Sequence, residues 1–261
     1  MHVTYRRAHS SQYNAIVNNL SGKTVLVTGG ARRLGKAFVQ AAAAAGAQVA
    51  FTYLNSKAEA SRVLAEIEAQ GEEALAVPCD VRRSESIAAA IKTVSDKFGK
   101  LDVLINNAGF YETVALEDLK EEQWDEMFAI NVRGPFLVAK HCIPALRQSR
   151  GRIIHLGSLG GEKPWATHAH YCSSKAALHM LTRVMAKALA PEISVNCVAP
   201  GMIELEEGKG DPAAFKRFAA QTPMQRNGAA GDVVSAVLYL ATAPKFITGQ
   251  VVTVDGGLGL R

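Results

Sequence analysis

The chain has 261 residues, 48% hydrophobic and 20% charged, with a formal net charge of +5. That balance excludes a disordered or disulfide-rich chain, and the length suits one α/β domain with a large buried core. The apolar runs fall short of the roughly 20 residues a membrane span needs, residues 1–21 lack a secretory apolar stretch, and no Lys/Arg cluster interleaved with aromatics follows them to suggest nucleic acid.

A cytoplasmic protein is therefore expected, with residues 1–21 as a flexible N-terminal tail and residues 22–261 as a single domain. From Lys23 onward, short β-branched or continuously apolar runs predict strands at 24–28, 48–53, 74–78, 102–106, 152–157, 194–199 and 251–255. Helical periodicity predicts helices at 34–45, 57–70, 84–98, 118–149 with Pro144 as the candidate kink, 170–190 and 229–241. This alternation of strands and helices predicts a Rossmann-type domain: a seven-stranded parallel sheet with helices on both faces. One stretch breaks the pattern: residues 200–228, rich in Gly, Pro and charge, follow the sixth strand and are expected to form a substrate-side lid.

The first strand runs into TGGARRLG, residues 28–35, and then a helix. Gly29, Gly30 and Gly35 there can take backbone angles that bulkier residues resist and let a phosphate approach backbone N–H groups at the positive end of that helix, so Gly29 and Leu34 are candidate cofactor contacts. Taken alone, the turn also suits a purely structural strand-to-helix connection. Cys79, Cys142, Cys172 and Cys197 are scattered and form no CxxC pair, and His155, His168, His170 and His179 lack partners at ligand spacing, so no metal is expected.

The segment Thr28–Gly35 resembles the TGxxxGxG signature of the short-chain dehydrogenase/reductase family, and the likeness extends from residue 23 over nearly the whole chain. Arg33 stands at a usual glycine position, giving the TGxxxRLG variant typical of the pteridine-reductase branch and its relatives. NAD-preferring members carry an acid at the end of the second strand. Here Phe51–Lys57 has no carboxylate, and the first acid in the chain is Glu59. With Arg32, Asn55 and Ser56 able to grip a 2′-phosphate, the resemblance implies NADP(H). It further implies that Asp80 and Val81 hold the adenine, and that Asn107, Ala108 and Gly109 lie against the adenosine ribose. Asn106 would brace the sheet.

Tyr171 and Lys175, four apart in YCSSK, share one helix face. A free tyrosine ionises near pH ~10, and an adjacent ammonium with an oxidised nicotinamide would lower that value. By the resemblance, Tyr171 is the acid/base, Lys175 its partner, Ser158 the substrate-orienting hydroxyl and Asn131 the holder of a relay water. Each residue has an ordinary structural reading alone; the joint pattern favours catalysis. Pro200, Gly201 and Ile203 would lie beside the nicotinamide, with Leu205 standing where relatives often have Thr.

Phe110, Ser158 and Trp165 are expected in the substrate pocket. Ser158 points to a carbonyl reductase of 3-oxoacyl or another ketone type, since pteridine reductases characteristically carry Asp there. Arg33 with Phe110 and Tyr111 supports the pteridine alternative, and a non-catalytic NADP(H)-binding sensor is the alternative of another class. A homotetramer follows by family analogy.

Overall fold

The structure, a computed structural model, describes residues 19–205 and 211–260. Most of the expected tail, and residues 206–210 within the expected lid, lie outside the described residues.

Seven strands form one parallel sheet: β1 (Thr24–Val27), β2 (Gln48–Tyr53), β3 (Ala74–Pro78), β4 (Val103–Asn106), β5 (Arg152–Leu156), β6 (Ser194–Pro200) and, last in the chain, β9 (Val251–Val254). A separate two-stranded ladder joins β7 (Ile203–Glu204) to β8 (Gly228–Ala229). The main order is β3-β2-β1-β4-β5-β6-β9. The order in which successive strands are added therefore switches sides between β1 and β4, and an open parallel sheet places its ligand crevice at the carboxyl ends of such a pair.

Continuous Val/Ile/Leu runs suit strands covered on both faces. Helices α1 (Arg33–Ala44), α2 (Lys57–Glu68) and α8 (Ala230–Thr242) bury Phe38, Val63, Ile67, Val233 and Val237 on one side, with Val25, Val49 and Phe51. On the other side α3 (Ser84–Phe98), α5 (Gly134–Ser149) and α6 (Ala169–Leu189) bury Ile87, Val94, Val138, Leu146 and Met185 with Leu26, Leu104 and Ile153. Each such aliphatic or aromatic side chain contributes about 1.5–3 kcal/mol by leaving water. This is the seven-stranded, two-faced α/β domain expected from the sequence.

The stretch expected as one helix over 118–149 is divided. Helix α4 (Glu121–Phe128) passes through a π-turn at Ala129–Arg133 before α5 begins. Pro144 does not interrupt α5. The break comes instead at Asn131, whose side chain is engaged by another part of the fold.

The segment after β6 is also more ordered in pattern than a plain loop. It holds the β7–β8 ladder and α7 (Pro212–Gln221), whose start is capped by Asp211 Oδ1 accepting from Ala213 N at 2.9 Å. Among the described residues no helix is long and apolar enough to cross a membrane, and no His/Cys/Asp/Glu group is placed to hold a metal.

Candidate active site

The glycine turn is fastened to its neighbours on both sides. Gly29 N donates to Thr52 Oγ1 at 3.2 Å and Gly30 N to Thr52 O at 2.9 Å. Across the crevice, Asn107 N and Ala108 N both donate to Thr28 Oγ1, at 3.0 and 2.9 Å. Asn107 Nδ2 donates to Thr28 O and Gly29 O at 2.9 and 3.1 Å. A methyl group on Gly35 would stand 2.1 Å from Gly29 O, so only glycine lets α1 start this close to the turn.

The first turn of α1 has neither a side-chain cap nor an acidic residue. Such a positive helix end attracts an anion. Arg32 and Arg33 are exposed at that end, and Leu34 packs its side chain against the core, leaving only its backbone for the crevice. Arg33 holds φ at +52°, the left-handed conformation a glycine takes freely and other residues resist.

Along the crevice, Asn55 is exposed and Ser56 half-buried after β2. Asp80 is already committed: Arg82 donates Nε to its Oδ1 at 2.8 Å and Nη2 to its Oδ2 at 2.7 Å. Arg82 also reaches Glu126 Oε1 at 2.6 Å. Those hydrogen bonds hold the Asp80 carboxyl below its ordinary range. Val81 is buried. Asn106 Nδ2 donates to Pro135 O at 3.2 Å, tying β4 to the start of α5, and lies 3.3 Å from His155 Nδ1 on β5.

The π-turn aims Asn131 at the backbone of Phe110. Asn131 Nδ2 donates to Phe110 O at 2.9 Å and to Ser174 Oγ at 3.1 Å, while its Oδ1 accepts from Phe110 N at 2.8 Å. The buried amide thereby fixes the segment after β4, next to Gly109. A methyl group on Gly109 would stand 3.4 Å from Asn131 Oδ1 and 3.8 Å from Lys175 Nζ.

Ser158, Tyr171 and Lys175 converge at the end of β5. The Ser158 side chain lies beside the Tyr171 hydroxyl and favours its ionisation. Ser158 Oγ also accepts from Gly160 N at 3.1 Å. Lys175 lies 5.8 Å from the Tyr171 ring centroid, and its buried Nζ donates to Leu156 O at 2.8 Å. Burial pulls Lys175 down to about 8, with the Cys197 thiol opposing.

The Tyr171 phenol moves opposite to the expectation from a neighbouring ammonium. Burial pushes it up to about 12, against the opposing pull of the Ser158 side chain and the Arg33 charge. Desolvation of a phenolate outweighs these partners in the chain itself.

The surroundings of Tyr171 are aromatic. Trp165 lies nearly parallel to it at 6.0 Å, and Tyr111 meets it edge-on at 4.9 Å. The Tyr111 hydroxyl and His168 Nε2 are 2.6 Å apart. Burial lowers His168 from its ordinary value. Under Ser158, His179 Nε2 lies 3.5 Å from Ser158 N, and burial lowers His179 to about 4, so the ring is neutral there at pH 7. Pro200 ends β6, and a methyl group on Gly201 would press on Asp255 Cβ at 2.6 Å. Ile203 sits in the β7–β8 ladder opposite Gly228, with its side chain against the core.

Thr28, Thr52, Arg82, Ser174 and His179 are contributors that the sequence reading did not place. Only Thr28, as the first letter of TGxxxGxG, carried a sequence signal. The others are brought in by strand pairing or by helix packing.

A family model described as enoyl-(acyl carrier protein) reductase matches residues 29–259. A 3-oxoacyl-[acyl-carrier-protein] reductase from Synechocystis sp. is 37% identical over 244 residues, covering 92% of this chain and 98% of the relative. One from Staphylococcus aureus is 36% identical, covering 90% and 98%. Among solved structures, a dehydrogenase/reductase from Sinorhizobium meliloti 1021 superposes with a TM-score of 0.88 at 37% identity, covering 92% of this chain and 96% of that one. A gluconate 5-dehydrogenase from Burkholderia cenocepacia J2315, in complex with NADP and tartrate, gives 0.87 at 30% identity, covering 94% and 98%.

Proposed function

The chain belongs to the short-chain dehydrogenase/reductase family, and on that premise we propose that it is an NADPH-dependent reductase of a 3-oxoacyl-type or related ketone. The observation that carries this reading is the convergence of buried Ser158, Tyr171 and buried Lys175 at the carboxyl end of β5, with Lys175 Nζ 5.8 Å from the Tyr171 ring centroid. The names of the Synechocystis and Staphylococcus relatives support a carbonyl substrate.

The crevice suits a dinucleotide: the uncapped α1 start accepts a pyrophosphate, and no carboxylate follows β2 to repel a 2′-phosphate. Gly29, Arg33 and Leu34 would face the pyrophosphate, Arg32, Asn55 and Ser56 the 2′-phosphate, and Asp80 and Val81 the adenine. Asn107, Ala108 and Gly109 would border the ribose, and Pro200, Gly201 and Ile203 the nicotinamide. When bound, the reduced nicotinamide supplies the hydride that goes to the carbonyl carbon.

Ser158 holds the substrate oxygen beside the Tyr171 hydroxyl. Tyr171 gives that oxygen its proton, leaving a phenolate that the charges of Lys175 and Arg33 stabilise. Asn131 keeps the Phe110 segment and a relay water in place for the proton's return. Residues 200–228 close over the substrate, Trp165 and Phe110 line its pocket, and the protein works in the cytoplasm as a homotetramer.

One observation favours the pteridine alternative: the Arg33 charge acts at Tyr171, and Tyr111 and Trp165 supply flat faces beside it. Rates of NADPH and NADH oxidation with acetoacetyl thioesters and with dihydrobiopterin test the choice. The proposal expects turnover with the thioester and NADPH. Turnover with dihydrobiopterin alone would replace it, and binding of NADPH with no turnover on any carbonyl would favour the non-catalytic sensor.

A further inference from the structure

The parallel sheet has a second edge, at the amino ends of its strands, opposite the crevice. Lys23, Asp102 and Arg152 stand at the starts of β1, β4 and β5, three neighbours in the sheet. They line a cavity of about 280 Å³ together with Leu20, Arg150 and Lys245.

The charge in this cavity is one-sided. Among the described residues that line it, Asp102 is the only carboxylate, facing the four cations Lys23, Arg150, Arg152 and Lys245. Asp102 is also fully engaged: Oδ1 accepts from Lys23 Nζ at 3.0 Å, Oδ2 accepts from Thr24 N at 3.0 Å, and Lys100 Nζ stands 3.8 Å away. Residues 1–21, the chain nearest in sequence, contain no Asp or Glu and bring no counter-charge.

Two of the cations have a structural task, since they bind carbonyls at helix ends. Arg152 Nη2 donates to Ala243 O at 2.7 Å after α8, and Lys245 Nζ donates to Arg150 O after α5. Those carbonyls carry only partial charge. Burial lowers Arg152 with only Asp102 opposing, and Lys245 is lowered by burial and by the charges of Arg152, Arg150 and Lys23. The cluster is therefore a set of crowded cations around an open volume.

We propose that this cavity binds a small polyanion of the phosphate class, at a site separate from the dinucleotide crevice. Arginine forks and lysine ammonium groups suit multiply charged oxyanions. The volume lies just under the ~300–1,000 Å³ usual for small-molecule sites, which fits a compact anion and not a whole dinucleotide.

Inorganic diphosphate is the probe, titrated by calorimetry at constant ionic strength into wild type, a Lys245→Gln/Arg150→Gln variant, and Arg32→Glu as a control at the glycine turn. The expected result is binding that weakens at least tenfold in the double variant and persists in Arg32→Glu. Loss in Arg32→Glu alone, or no binding at millimolar diphosphate, overturns the proposal. If the double variant does not fold, lysine acetylation of wild type decides. Diphosphate should shield Lys23 and Lys245 where chloride at equal ionic strength does not, and equal labelling in both overturns the site.

Discussion

Replacing Arg33 with glycine should stabilise or spare the fold while moving the ionisation of Tyr171. The Arg33 backbone sits at φ +52°, a left-handed conformation that costs a residue with a side chain about 1–2 kcal/mol. Glycine removes that strain but loses about 0.5–1 kcal/mol through its freer unfolded chain. From the backbone alone the net is a gain of about 0–1.5 kcal/mol, or a melting temperature up by at most about 6 °C for a chain of this size.

Removing the guanidinium also removes a cation that lowers the Tyr171 phenol. That phenol should then ionise at higher pH. In the alcohol-oxidation direction Tyr171 must be ionised to accept a proton, so the rising limb of kcat/KM against pH should move upward in Arg33→Gly. Scanning calorimetry and a pH profile read the two effects separately. A melting temperature lowered by more than about 4 °C, or a limb that stays in place, would refute the reasoning.

Gly35→Ala should cost at least about 3 kcal/mol by denaturant titration, because the new methyl group meets Gly29 O at 2.1 Å. Asn131→Ala strips the Phe110 backbone of two hydrogen bonds and should lower stability by about 1–3 kcal/mol, with a fall in kcat measurable beside it. Arg82→Ala frees the Asp80 carboxylate from its bidentate partner, so Asp80 should titrate nearer its ordinary value by NMR. His179 is held near 4 when folded against about 6.5 unfolded, so the unfolded chain binds more protons in between. Stability should therefore fall as pH drops from about 6.5 towards 4, by up to about 3 kcal/mol from this residue, and His179→Gln should flatten that slope.

The strands were legible because buried parallel strands are written as short β-branched or continuously apolar runs, as in Thr24–Val27 and residues 103–105. The i, i+4 spacing of Tyr171 and Lys175 likewise placed them on one face of α6. The division of 118–149 was not legible, since Asn131 is turned by the backbone of Phe110, 21 residues earlier, and periodicity carries no trace of that partner. Pro144, the obvious local signal, leaves α5 unbroken. Arg33 was readable as a departure from glycine, but its positive φ emerged only with the structure. The direction of the Tyr171 shift depends on burial under Trp165 and Tyr111, which no spacing along the chain reveals.

The central claim is that Tyr171 delivers the proton in an NADPH-dependent carbonyl reduction. Tyr171→Phe keeps the ring and its packing while removing the hydroxyl. NADPH fluorescence titration and acetoacetyl-thioester turnover on the same preparation test it most directly. The account predicts NADPH binding within about twofold of wild type and turnover reduced by at least ~10²-fold. Turnover retained at the wild-type rate would contradict it.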